Sequence, residues 1–439
     1  MRTKPLLLLL ICLLPIVSVK GEKADTWPIA DGTFIQESLA KTWDAKTWSK
    51  EMNYLKELGM NYVIFAPTAE GEGESQNLKT LYPTKQEGWY PKYPDLDLVD
   101  TILKEAQKAG LKVILGMNFN DLWWKIGGSN SKWLHQQMEL GNKVAGELYS
   151  NYYKTYKDTF VGWYFVWEID NITFATKKAE QSLIEALNIQ LDYLNELDPD
   201  LFFMFCPFMN YRLGTKEAYR DFWIRLFAEV HLRQGDIFAP MDCVGAGGLN
   251  LDNFSAWFKE LRKAVDTKPG LLFWSDTEVF DQRDWTSVPI GKFVQQMEGV
   301  APYVDNIITF AYSHYYSPNV TESGFHDTYL EYVKTGKIEK KEPEAPYDLQ
   351  MFAMPDGSNY LMWQEGEDNL GIAGYIVYRE GRQIGRTQVA RIGAQSGMIK
   401  AYKEIARLVK GRTYKYTVRA YDYTGNLSTE SAVYEYTVE

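Results

Sequence analysis

The chain runs to 439 residues, more than one compact domain usually holds, so two folded units are expected. Hydrophobic residues at 45% and charged residues at 24% exclude a wholly disordered chain. A formal net charge of −11, with no basic cluster, excludes a nucleic-acid partner held through its phosphates.

At the N-terminus Arg2 and Lys4 precede an apolar run at 6–17, too short for a comfortable membrane span and suited to a secretory signal. Residues 1–21 are therefore expected to be a signal peptide, cleaved near Gly21. The mature chain is expected to be secreted, periplasmic or at the cell surface, with no transmembrane segment. Ile11 stands before Cys12 where a lipoprotein signal needs a small residue, so lipidation there is not expected. Cys206 and Cys243 remain, too few for a disulfide framework. Two buried thiols are expected, with a single pair as the alternative.

From Gly32 to about Tyr316 one grammar repeats: an amphipathic stretch, a Gly or Pro/Asp break, then a short β-branched and aromatic run. Met52, Leu55 and Leu58 lie at helical spacing, Gly59 caps them, and Tyr62 to Ala66 form the strand. Val99, Ile102, Leu103 and Ala106 repeat the stripe, followed by Gly110 and the strand Val113 to Leu115. Further strands are expected near 33–36, 163–168, 201–206, 237–241, 271–275 and 306–311. Continuously apolar strands are buried on both faces, as in a parallel sheet covered by helices. Eight of them fit a (β/α)8 TIM barrel over 22–336. An open α/β sheet is the alternative, but no G-x-G-x-x-G follows the first strand.

Residues 337–346, rich in Lys, Glu and Pro, read as a linker. The remainder, 347–439, is β-patterned, with Tyr360 to Trp363, Gly374 to Tyr378 and Tyr414 to Tyr421 alternating with turns. It resembles a fibronectin type III domain in its Pro343 and Pro346 entry, in a lone Trp363 on an early strand, and in the stretch from Leu408 through Gly411 to Tyr414, which looks like that fold's tyrosine corner. The stretch at 387–403 is longer than that family usually carries. Such a module implies a spacer, with direct sugar binding as the lesser reading.

In a TIM barrel the C-terminal strand ends build the active site. Two ends carry carboxylates: the fourth finishes Trp167-Glu168-Ile169-Asp170-Asn171 and the seventh Trp274-Ser275-Asp276-Thr277-Glu278. Glycosidic cleavage uses two carboxyl groups, one to protonate the leaving oxygen and one to attack or to activate water. Here the chain resembles the clan of retaining glycosidases whose acid/base glutamate ends strand four and whose nucleophilic glutamate ends strand seven. That resemblance implies Glu168 as acid/base and Glu278 as nucleophile. Trp167 departs from the clan's usual Asn, which leaves Asn171 or Asn118 to contact the 2-hydroxyl. The stretch Val161 to Glu168 also resembles the strand-four motif of chitinase-type barrels in its Gly, its last Trp and its Glu. Val161, Tyr164 and Val166 replace that motif's Asp residues, which argues against N-acetyl-assisted chemistry. The plan of signal, barrel and fibronectin module resembles uncharacterised secreted barrels grouped with glycoside hydrolases.

Gln36, Asn118, Asn120, Trp123, Trp124, Asp170, Asp242, Asp276, Tyr312 and His314 are the expected substrate-binding residues, with Trp89, Tyr90 and Trp285 as further stacking platforms. For any one of them the competing reading is a helix cap, an ion pair or a packed loop residue. Four His residues without H-E-x-x-H spacing, and no G-x-S-x-G or P-loop, leave no metal or cofactor expected. The run Glu70 to Glu74 reads as a solvated loop rather than a calcium site. The expected function is a retaining glycoside hydrolase on an oligo- or polysaccharide. The alternatives are a non-catalytic glycan-binding barrel and a structural surface protein.

Overall fold

A computed structural model describes residues 27–127, 130–389 and 399–438. The signal segment, Cys12 and most of the 387–403 stretch lie outside them. Eight strands form a closed parallel barrel in sequential order: β1 (Gly32–Ile35), β2 (Tyr62–Phe65), β3 (Lys112–Gly116), β4 (Phe160–Phe165), β5 (Phe202–Phe205), β6 (Ile237–Phe238), β7 (Leu272–Glu278) and β8 (Asn306–Phe310). Thr33 opposite Thr309 closes the ring. With helices between the strands, this is a TIM barrel.

The strands are largely apolar because both faces are covered, whereas β7 ends in the polar run Ser275 to Glu278. One set fills the barrel's inside, including Phe34, Ile64, Ile114, Tyr164, Met204, Trp274 and Ile308. The alternate residues, such as Val63, Phe65, Phe203, Phe205, Phe238 and Phe273, pack outward under the helices. Helix Ala45–Glu57 buries Trp48, Met52 and Leu55 and is capped by Asp44, which accepts from Thr47 N. Helix Leu98–Ala109 buries the Val99, Ile102, Leu103, Ala106 stripe and ends at Gly110, whose φ of 75° favours glycine. Cys206 and Cys243 are buried and free. No helix among the described residues is long and apolar enough to cross a membrane.

The C-terminal unit packs a three-stranded sheet against a four-stranded one. The first holds β9 (Tyr347–Ala353), β10 (Asn359–Gln364) and β13 (Ala401–Glu404); the second holds β11 (Ile372–Arg379), β12 (Arg382–Gln388), β14 (Thr413–Asp422) and β15 (Tyr434–Thr437). Leu361 and Trp363 of one sheet meet Tyr375, Val377, Tyr416 and Val418 of the other. Tyr414 Oη accepts from Val409 N at 3.1 Å, five residues upstream.

This unit is docked on the barrel. Ala373, Val389, Tyr421 and Tyr423 join the barrel's own core. Ile290 N donates to Tyr423 O and Gly291 N to Thr424 O, each at 2.9 Å. The connecting segment is anchored as well, with Asn426 Nδ2 donating to Glu339 Oε2 at 2.9 Å.

Candidate active site

A cavity of about 520 Å³ opens at the C-terminal ends of the barrel strands. Gln36 follows β1, Ala66 and Pro67 follow β2, Val166 and Glu168 follow β4, and Phe208 follows β5. Met241 follows β6, Asp276 and Glu278 end β7, and Phe310 and His314 come from the end of β8; all of these line the cavity. Side chains alternate along β7, so Asp276 and Glu278 share a face. Glu168 sits three residues beyond β4, where Trp167 is locked beneath Phe119, Trp123 and Trp133.

Glu278 is almost fully buried, and its Oε2 accepts from Ala246 N at 2.6 Å. Gly245 allows that approach: a Cβ there would stand 2.4 Å from Phe280 O and 2.9 Å from Glu278 Cβ. Asp242 lies behind the cavity wall, accepting from Val244 N (3.1 Å), from Gln296 Nε2 (2.7 Å) and from the amide of Glu278 (3.3 Å). Gln296 also donates to Glu278 O at 2.8 Å. Asp276 Oδ1 is buried with no hydrogen-bond partner.

The electrostatics follow from this crowding. Burial, with the Asp170 charge beside it, pushes Glu168 up to about 7. Burial and the Asp242 charge drive Glu278 well above the usual carboxylate range, against the Ala246 hydrogen bond. Burial raises Asp242 to about 6, offset by its three donors. Burial together with Asp242 and Glu168 raises Asp276 strongly. The lining includes no Lys or Arg, and although the half-buried Lys292 nearby favours the charged form of Asp242, burial raises all four carboxyls. Among the described residues no group of three or more His, Cys, Asp or Glu is arranged to hold a metal ion.

A second compartment of about 260 Å³, walled by Trp124, Ile172 and Leu213, meets the first at Glu168 and Phe208. Asp170 borders it and also ties down the turn after β4, accepting from Ile172 N and Thr173 N at 2.6 Å each.

The expected site residues thus separate. Gln36, Glu168, Asp276, Glu278 and His314 line the main cavity, Trp124 and Asp170 the second compartment, and Asp242 supports Glu278 from behind. His314 Nε2 accepts from Gln36 N at 3.2 Å. Asn118, Asn120, Trp123 and Tyr312 do not line either space. Asn118 donates to Gln137 O, and Asn120 bonds Gly73 O and Leu122 N. Trp123 packs on Trp167 and Phe174, and Tyr312 Oη bonds His326 Nδ1 at 2.7 Å. The pair Trp123 and Trp124 divides, 6% and 59% exposed, because neighbours on a helix point about 100° apart.

Sequence reasoning missed Tyr164, Phe208, Ala246, Phe280 and Gln282 in the lining, and Gln296 behind it. Tyr164 was discoverable as the residue four before Glu168 on a period of two. Gln296 carries a weaker signal, a polar side chain on the apolar face of helix Ile290–Val300. The loop residues carried none.

A family model described as "Domain of unknown function (DUF4434)" matches residues 30–322. A Bacteroides thetaiotaomicron structure, provisionally described as an alpha-L-fucosidase, superposes with a TM-score of 0.59 and 23% identity over 76% of this chain and 99% of that one, a likeness of fold. An alpha-amylase of Niallia circulans is 37% identical over 90 residues, 20% of this chain and 6% of the relative. A chitinase of Paenibacillus xylanexedens is 33% identical over 89 residues, 20% of this chain and 15% of the relative. The matches therefore span only a small part of these relatives' lengths.

Proposed function

Since the chain belongs to the DUF4434 family, whose description states no activity, we propose from the site itself that it is a glycoside hydrolase of the retaining type acting on an oligo- or polysaccharide. What supports this reading is that Glu168 and Glu278, from the ends of the fourth and seventh strands, line one cavity with no Lys or Arg in its lining. The alpha-amylase and chitinase similarities, each over about a fifth of this chain, point to the same class.

In this mechanism Glu278 attacks the anomeric carbon as the glycosidic C–O bond breaks, and the Glu168 proton passes to the leaving oxygen. Water, losing a proton to Glu168, then attacks the same carbon and releases Glu278. A glycan lying through both compartments has its scissile bond at their junction, with the leaving sugar over Trp124. A carboxyl raised to about 7 still carries its proton over the acid range, as the first step requires.

A binding protein without turnover is the second reading, favoured by the burial and the Asp242 charge that oppose ionisation of Glu278. The test is a panel of defined oligosaccharides scored both for calorimetric binding and for reducing-end release. Cleavage by the wild type, with a loss of at least about a thousandfold in Glu168→Gln and Glu278→Gln and retained binding, supports the hydrolase. Binding without release supports the second reading.

The three-plus-four strand arrangement and the Tyr414 contact support reading the C-terminal sandwich as a fibronectin type III domain. Export rests on the basic and apolar character of the first 21 residues.

A further inference from the structure

The cavity wall nearest the C-terminal unit is the loop after β7. Phe280, Gln282 and Trp285 of that loop all line the cavity. Phe280 is stacked between Trp285 (5.4 Å between ring centres, 14°) and Tyr315 (5.6 Å, 24°), so three aromatic rings run from the rim to the end of β8. Trp285, 58% exposed at the outer end, has a φ of 56°, a left-handed conformation that a bulky residue keeps only when its surroundings enforce it. Within the loop, Trp285 N bonds Asp281 O at 2.7 Å. Phe280 pairs with Ser287 and Asp281 with Thr286. The barrel holds Gln282 N through Gly245 O at 3.1 Å and Ser287 Oγ through Tyr315 O at 2.6 Å, and further restraints come from the other domain.

Arg386 of β12, only 19% exposed, reaches across to this loop. Its Nε donates to Asp284 Oδ2 at 2.5 Å and its Nη2 to Asp284 Oδ1, a bidentate pair flanking Trp285. The same Nη2 donates to Thr286 Oγ1 at 2.7 Å and stands 3.1 Å from Asp281 Oδ2. Two residues on, Gln388 Oε1 accepts from Ser287 N at 2.9 Å and its Nε2 donates to Ser287 O at 2.7 Å, pairing one residue's backbone as a neighbouring strand would. Against the burial that would raise it, hydrogen bonds from Arg283 and the Arg386 charge hold Asp281 well below the usual carboxylate range. Thus residues on both sides of Trp285 bond side chains from outside the barrel, in addition to the pairing within the hairpin. Glycines leave room for the docking: a Cβ on Gly324 would stand 2.2 Å from the Tyr423 ring, and one on Gly291 2.6 Å from Thr424 O.

We propose that the C-terminal unit is a working part of the substrate cleft, in which Arg386 and Gln388 are positioning residues that hold the 281–287 loop so that Trp285 and Gln282 face a sugar bound in the cavity. The substrate half of this proposal rests on the glycosidase reading; the positioning half does not. A sugar ring offers Trp285 an apolar face and Gln282 hydroxyl groups, the combination that an aromatic platform beside an amide recognises.

The experiment uses the full chain with Arg386→Ala, Arg386→Met, which keeps the aliphatic packing, and Arg386→Lys, which keeps the charge but not the fork. Hydrogen exchange of the 281–287 amides is measured alongside KM and kcat on cello-, manno-, xylo-, laminari- and chito-hexaose. In Arg386→Met, exchange of those amides rises at least tenfold with the rest of the barrel unchanged. KM on the cleaved hexaose rises about tenfold while kcat changes less, and Arg386→Lys recovers part of both. Unchanged loop exchange in all three variants overturns the proposal. Faster exchange with unaltered KM overturns its substrate half. A wild type that cleaves and binds none of the five sugars removes the glycosidase reading for them, and the exchange result still decides whether the C-terminal unit holds the loop.

Discussion

Asp242 Oδ1 accepts the backbone amide of Glu278 at 3.3 Å, so two buried carboxyls are joined at the base while their charges repel at the tips. The one placed to attack, Glu278, is made harder to ionise by its neighbour. Asp242→Asn keeps the shape and an acceptor oxygen but removes the charge, so Glu278 ionises at lower pH. The acidic limb of the kcat/KM profile then moves to lower pH. A limb that stays in place or rises in this variant, measured on a cleaved oligosaccharide, removes Glu278 from the role of ionising nucleophile.

The alkaline limb reports the other group. Glu168, raised to about 7 by burial and by the Asp170 charge, must hold its proton, so activity falls as pH passes about 7. Removing the Asp170 charge lowers this value, and Asp170→Asn is expected to move the limb toward acid. At pH 7 kcat/KM drops by roughly threefold, short of the tenfold of a full pH unit. A shift toward alkali means that another group donates the proton.

These two carboxylates were legible because barrel strands deliver their ends to one rim, and the eight apolar runs located that rim. The boundaries were less legible. β7 continues to Glu278 itself, three residues beyond the expected 275, whereas β4 stops at Phe165 and leaves Glu168 to a loop pinned by Trp167. Asn118 and Asn120 pair with Ala69–Gly71 in a small side sheet, which turns them off the barrel axis. Tyr312 and His314 fall on a single helical turn, so one faces His326 and the other the cavity. Arg386 carried no signal at all, because its partner lies about a hundred residues away across a domain boundary that local patterning cannot see.

Asp276 bears on stability. Its folded-state carboxyl is raised above the unfolded value, so its contribution favours the fold at low pH and weakens as pH rises from the unfolded value through the folded one. Asp276→Asn removes that penalty. By scanning calorimetry its Tm exceeds that of the wild type by about 2 °C or more at pH 8, and the advantage disappears near pH 4, where both carry a neutral group. A difference of equal size at both pH values shows that the change acts through packing rather than charge.

The two compartments meeting at Glu168 make the leaving group the variable that reports on Trp124. An oligosaccharide leaves as a sugar over that ring, whereas a glycosyl fluoride leaves as an ion too small to reach it. Trp124→Ala gives up a stacking contact of about 1 kcal/mol, so kcat/KM for the oligosaccharide falls by about five- to tenfold more than for the fluoride of the same sugar. Chemistry at Glu278 is common to both substrates, so a general disturbance of the barrel mouth lowers the two together. Equal losses therefore sink the assignment of Trp124 to the leaving-group side. A larger loss on the fluoride reverses the direction of the cleft, placing the leaving sugar beside Trp285 instead.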